Sequence, residues 1–298
     1  MNPDSPQVRE IPLTGDTAGP YGITTGPDGA LWLTFVHGGR IGRLTTDGAL
    51  TTYALDPADC QPMIITPGPD QALWFTRAHD HRIGRITTGG TVDTYALPDG
   101  SGPYGITAGP DGALWFTQMH TDRIGRIGLD GTVTQFDLPV EKAFPSAIVT
   151  GPDGALWFTL NQANAVGRMT VEGEVAVHPL PTPAAGPVGI ASDGEALWFV
   201  EITAGQVGRI SVDGVVEEFP LPDRAARPHA IAAVATGDCW FTEWGANRIG
   251  HLTADGRIEE FDLPSPASEP HGLTLGPDGA LWTALETGAV ARWERRPN

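Results

Sequence analysis

The stretch Pro103–Pro139, PYGITAGPDGALWFTQMHTDRIGRIGLDGTVTQFDLP, decides the fold. It holds four short runs of β-type composition separated by turn residues. Y-G-I-T is the first, G-P-D-G is a turn, A-L-W-F-T is the second and R-I-G-R-I the third. A D-G pair then opens the turn into the fourth run, Thr132 to Leu138. No segment carries a sustained helical period, so four antiparallel strands are expected from these residues.

The same unit recurs along the chain, and a repeat of this length is the signature of a modular fold. Trp32, Trp74, Trp115, Trp157, Trp198, Trp240 and Trp282 follow one another at intervals of 41 or 42 residues. Each is preceded by a proline 11 or 12 residues earlier: Pro20, Pro62, Pro103, Pro145, Pro187, Pro228 and Pro270. Four strands per unit at this spacing is the pattern of a propeller blade. The expected fold is therefore an all-β, seven-bladed β-propeller, occupying residues 1–298 as a single domain.

The two ends supply a check on closure. The last unit has its second and third strands but no fourth, whereas Val8 to Leu13 aligns with Val216 to Leu221, the fourth strand of an internal unit. The N-terminal strand, about residues 8–13, is expected to complete the last blade and remove an exposed sheet edge.

Composition narrows the function. The 298 residues carry a formal net charge of −18, with a pI near 4.6, the wrong sign for binding phosphate backbones or anionic lipid headgroups. Neither nucleic acid nor membrane is an expected partner. Met1 to Glu10 is polar, without a basic region followed by an apolar run, so the chain reads as soluble and cytoplasmic. The two cysteines, Cys60 and Cys239, lie far apart and read as buried, reduced thiols. A closed ring has no edge strand demanding a partner, and a monomer is expected. There is no G-x-S-x-G elbow, P-loop or dinucleotide fingerprint.

Reading the seven copies against one another locates the chemistry. Strands alternate in direction, so the residues before the first strand and after the second share one face, while the G-P-D-G turns lie on the other. On the first face the position after the proline changes from blade to blade: Tyr21, Met63, Tyr104, Ser146, Val188, His229 and His271. The positions just after the second strand vary too, among them Arg77, Gln118, Glu201, Glu243, Trp244 and Glu286. Loops on a rigid scaffold are the usual carriers of function. The sharpest cluster is Glu269-Pro270-His271 with Glu286 and, one blade earlier, His229. Two carboxylates can bind Mg²⁺, and a histidine beside them can remove a proton while the cation stabilises developing charge. A Pro-His at one blade entry alone reads as a turn residue, and even with its neighbours the cluster leaves catalysis and turn structure both open. Glu201, Glu243 and Trp244 read either as rim or channel-packing residues or as direct contacts. The arginines of R-I-G-R read as exposed strand residues that pair carboxylates. His37, His79, His81 and His120 read as loop histidines.

The segments SGPYGIT (101–107), WFVEI (198–202), ARPHAI (226–231), WFTEWGAN (240–247) and EPHG (269–272) resemble the virginiamycin B lyase, or streptogramin B lyase, family. The resemblance runs from about Val8 to Arg292. It implies an enzyme of antibiotic resistance that opens type B streptogramins, cyclic depsipeptides closed by an ester to a threonine side chain, by elimination rather than hydrolysis. It further implies His271 as general base, Glu269 and Glu286 as Mg²⁺ ligands and His229 as a substrate contact. Tyr21, Tyr104 and Trp244 are expected to stack on the rings of so bulky a substrate. A metal-dependent hydrolase or lactonase, or a non-catalytic binding propeller, are the alternatives.

Overall fold

The second strand of every unit is apolar on both faces, which is stable only where other strands cover it from both sides. In the computed structural model, which describes residues 8–14 and 19–294, that condition is met by a ring of sheets. Among the described residues, twenty-eight strands form seven four-stranded antiparallel sheets. Blade 3, for example, runs outward through Pro103–Ala108, Leu114–Gln118, Arg123–Ile127 and Val133–Asp137. The fold is the expected seven-bladed propeller. Each inner strand packs against those of its two neighbours, that of blade 7 against that of blade 1 included, so the ring closes.

Closure uses the predicted strand. Val8–Pro12 pairs antiparallel with Ala289–Trp293 as the outermost strand of blade 7, from Val8 opposite Trp293 to Pro12 opposite Ala289. Residues 1–7, 15–18 and 295–298 of the expected unit lie outside the described residues.

Two devices repeat around the ring. At the turn face, the aspartate of G-P-D-G accepts the indole N–H of its own blade's tryptophan through Oδ1, at 3.0 Å in blades 1, 2, 3, 4 and 7. Its Oδ2 accepts the arginine at the fourth position of the third strand, the second of R-I-G-R where that motif is kept, at 2.6–2.8 Å. Burial opposes the charge on Asp111, but the hydrogen bonds from Trp115 and Arg126 outweigh it and hold the carboxyl below its ordinary range. These arginines do pair carboxylates, as expected, but they are half-buried and the partner is the turn aspartate of the same blade. Blade 6 replaces the arginine with His251, which bonds Asp238 and stacks on Trp240.

The second device faces the opposite mouth. In blades 1 to 4 the threonine of the second strand donates to the backbone carbonyl of the post-proline residue in the next blade, Thr34 to Met63, Thr76 to Tyr104, Thr117 to Ser146 and Thr159 to Val188, each at 2.6 Å. The inner strand bulges at this point in every blade. Bulges re-aim side chains, and here the bulge and the threonine bond fix the variable position at the channel mouth. In blades 1, 3, 5 and 7 a glycine follows, where the next blade's backbone comes close: a Cβ on Gly105 would lie 2.5 Å from the Ser146 carbonyl oxygen. Cys60 and Cys239 are buried free thiols in different blades, and burial pushes the Cys60 thiol up to about 11.

Candidate active site at the mouth of the ring

The residue before each blade's proline adopts left-handed backbone, and glycine fills that position in blades 1, 3 and 5. Gln61 and Phe144 occupy it in blades 2 and 4, at φ of 49° and 52°, and Arg227 and Glu269 in blades 6 and 7, at φ of 51° and 53°. A non-glycine residue there costs of order 1–3 kcal/mol, and such strain concentrates where side chains are needed for function. Arg227 and Glu269 stand at the mouth, next to the prolines that introduce His229 and His271.

Four of the predicted residues meet over the channel. Tyr21 and Tyr104 join hydroxyl to hydroxyl at 2.8 Å, and the Tyr21 hydroxyl also lies 3.3 Å from His229 Nε2. The His271 ring packs on Tyr21 with centroids 4.4 Å apart and meets the edge of His229 at 4.8 Å. Below them is a cavity of about 170 Å³ walled by Ile23, Ile65, Ile106 and Leu273. Trp244 stands at the rim, 6.4 Å from the His271 ring, with the Arg227 guanidinium 5.7 Å over its own ring. Trp244, Arg227 and Glu269 line a neighbouring depression of about 330 Å³. A larger cleft of about 450 Å³ lies on the turn face, between Arg9, Asp47 and Arg292. Convergence of titratable and aromatic groups, rather than volume, singles out the mouth.

Glu286 completes the cluster. Its backbone N–H donates to the Glu269 carbonyl at 3.1 Å, which brings the two acidic residues side by side. One carboxylate oxygen, Oε2, takes His271 Nε2 in a short hydrogen bond, and the other, Oε1, takes His37 Nε2 at 2.6 Å. A carboxylate only accepts, so both imidazoles carry their proton on Nε2. The neutral His271 ring then keeps its lone pair on Nδ1, a buried atom with no hydrogen-bond partner. Burial lowers the pKa of His271 despite the opposing pull of Glu286, so the ring is neutral at pH 7. Burial, reinforced by His271, lowers His229 well below the ordinary imidazole range. Tyr21 is raised by burial and by Tyr104, and stays a phenol.

The other second-strand candidates lie elsewhere. Arg77, Gln118, Glu201 and Glu243 end their strands, one residue before the position of Trp244 and Glu286, and are buried inside the blades. Successive strand residues alternate sides, so one step in register decides between mouth and interior. Arg77 bonds Asp80 and the Asp56 carbonyl, Glu201 takes Gln206 at 2.6 Å, and Glu243 takes Arg248 at 2.8 Å. Neither glutamate is a rim residue or a contact at the mouth. Burial, ahead of the neighbouring Glu218 and Glu260, pushes both carboxyls up to about 7.

His37 is the residue that sequence reasoning missed. Its repeat equivalents have other partners, His79 the Asp59 carbonyl at 2.8 Å and His120 the Phe144 ring of the next blade. The signal was circular: once the ring closes, blade 1 follows blade 7, and the histidine five residues after Trp32 falls beside the glutamate four residues after Trp282.

Among the described residues no group of three or more His, Cys, Asp or Glu is arranged to hold a metal ion. Glu269 and Glu286, adjacent through their backbones, nonetheless supply carboxylate oxygens, the donors that suit a hard cation keeping most of its water. Glu269 is exposed, and each Glu286 oxygen retains a second lone pair beyond its imidazole bond. The donor chemistry therefore fits Mg²⁺.

Comparison with known proteins agrees with the fold. The model of the Virginiamycin B lyase family matches residues 6–293. Virginiamycin B lyase of Saccharopolyspora erythraea is 58% identical over 50 residues, a segment covering 17% of this chain and 17% of that protein. That of Bordetella bronchiseptica is 47% identical over 56 residues, 19% of each chain. Among solved structures, a streptogramin B lyase superposes with a TM-score of 0.93 at 42% identity, over 97% of each chain. A catalytically inactive histidine-to-alanine variant of Staphylococcus aureus virginiamycin B lyase, solved with quinupristin, gives 0.93 at 43% identity over 98% of this chain and 100% of that one.

Proposed function

Because this chain belongs to the virginiamycin B lyase family, we propose that it linearises type B streptogramins by eliminating the ester that closes their ring. The observation that carries the reading is the His271 imidazole, neutral, fixed by Glu286 through Nε2 and left with an unpartnered lone pair on its buried Nδ1.

The His271 imidazole takes the α-proton of the threonine whose side chain forms the ester. The electrons of that C–H bond become the Cα–Cβ double bond, the Cβ–O bond breaks, and the ester oxygen leaves with its electron pair as a carboxylate. An α-proton is a weak acid, so the base needs to be oriented and neutral. Glu286 supplies the orientation and stabilises the imidazolium as it forms, and the packed Tyr21 ring holds the imidazole plane. Glu269 and Glu286 would hold Mg²⁺, which when bound stabilises negative charge developing on a substrate carbonyl. His229, kept uncharged by burial, offers a hydrogen bond to substrate rather than a charge. Tyr21, Tyr104 and Trp244 form the aromatic wall against which a cyclic peptide packs.

Replacing His271→Ala tests the assignment. Turnover of a type B streptogramin is expected to fall about 10²–10⁴-fold, the usual contribution of a general base, with the unfolding temperature unchanged. Turnover preserved in a folded variant contradicts the mechanism. In the wild type, kcat/KM is expected to lose activity at acid pH with a midpoint below the ordinary histidine value of 6.5, because burial depresses the pKa of His271.

A further inference from the structure

His37 lies in blade 1, outside the set that the family resemblance assigns. Its side chain is 57% exposed, yet its Nε2 sits 2.6 Å from Glu286 Oε1 in blade 7. An exposed histidine has no need of a fixed partner for stability, since exposed ion pairs contribute little. The ring is nevertheless held in place. Gly19, at φ 75°, packs so closely that a Cβ there would lie 2.5 Å from His37 Cδ2. That contact leaves the imidazole edge turned to the carboxylate. Glu286 is thereby gripped at both oxygens, by His37 from one side of the ring's seam and by His271 from the other.

We propose that His37 is a positioning residue for Glu286, donating its Nε2–H to Oε1 so that the carboxylate is presented to a divalent cation in one orientation. This rests on the reading of Glu286 as a cation ligand. A glutamate side chain has three rotatable bonds, and ordering it costs conformational entropy. A second hydrogen-bonding partner meets that cost before the cation arrives, and such outer partners of ligating groups typically change metal affinity about 10–100-fold when removed. The arrangement also makes cation binding depend on ring closure, since the ligand and its support come from the first and last blades.

The test is direct titration with Mn²⁺, followed by its electron paramagnetic resonance signal, on wild type, His37→Ala, His37→Gln and Glu286→Gln. Glu286→Gln is expected to lose most binding. His37→Ala is expected to weaken it about 10–100-fold at an unchanged unfolding temperature. His37→Gln, whose amide N–H reaches the same oxygen, is expected to restore much of the affinity. Equal affinity in wild type and His37→Ala, with binding lost in Glu286→Gln, overturns the role of His37 alone. Absence of binding in wild type overturns the cation reading and this proposal with it.

Discussion

The turn face and the mouth of this propeller are built from the same seven repeats and use them in opposite ways. At the turn face, blades 1, 2, 3, 4 and 7 repeat one aspartate clamp almost to the tenth of an ångström, from Trp32 and Arg43 on Asp28 to Trp282 and Arg292 on Asp278. At the mouth, one fixed backbone position carries five different residue types in seven blades, and two neighbouring blades place His229 and His271 there within ring contact. Identical parts give rigidity, and rigidity is what allows the differing parts to hold a site within the tolerance that catalysis demands.

Substitution at each end separates the two roles. Where His271→Ala is expected to remove activity and leave the fold, Asp111→Ala is expected to do the reverse. It strips the acceptor from Trp115 Nε1 and from Arg126, a loss of about 1–3 kcal/mol, while turnover per folded molecule stays at the wild-type level. Chemical denaturation and steady-state kinetics on the same preparation read both. An equal fall in turnover would show that the two faces are coupled rather than divided.

A smaller effect sharpens the same contrast in the interior. Glu201 is buried with its carboxyl raised to about 7 from an ordinary 4.5, so the folded chain holds a proton that the unfolded chain releases between those values. The stability this contributes is complete below pH 4.5 and is lost as pH rises through 7. Glu201→Gln is expected to flatten that part of the pH dependence. At pH 8 it should unfold later than wild type by roughly 2–4 °C, the shift that about 1 kcal/mol gives in a large domain. Thermal unfolding from pH 5 to 8 measures it, and identical pH profiles contradict the assignment.

These contrasts explain what the sequence made legible. Seven tryptophans at near-constant spacing fix the blade count, and Val8 to Leu13, aligned with Val216 to Leu221, fixes the closure, because both depend only on the repeat. His229, Glu269 and His271 were legible because they sit beside the prolines that register each blade. Arg77, Gln118, Glu201 and Glu243 were misplaced because a strand turns successive residues to opposite sides, and the end of the second strand lies one residue before the mouth. His37 was missed for a different reason: its partner Glu286 is 249 residues away in the chain and becomes its neighbour only when the ring is closed. Linear alignment of repeats shows equivalence, whereas contact across the seam needs the circle.

The central claim is that the divergent mouth performs elimination. Incubating the protein and Mg²⁺ with a type B streptogramin and weighing the product by mass spectrometry tests it most directly. The account predicts a linear product of unchanged mass, carrying a double bond where the threonine had been. A product heavier by one water, or no product at all, would contradict it.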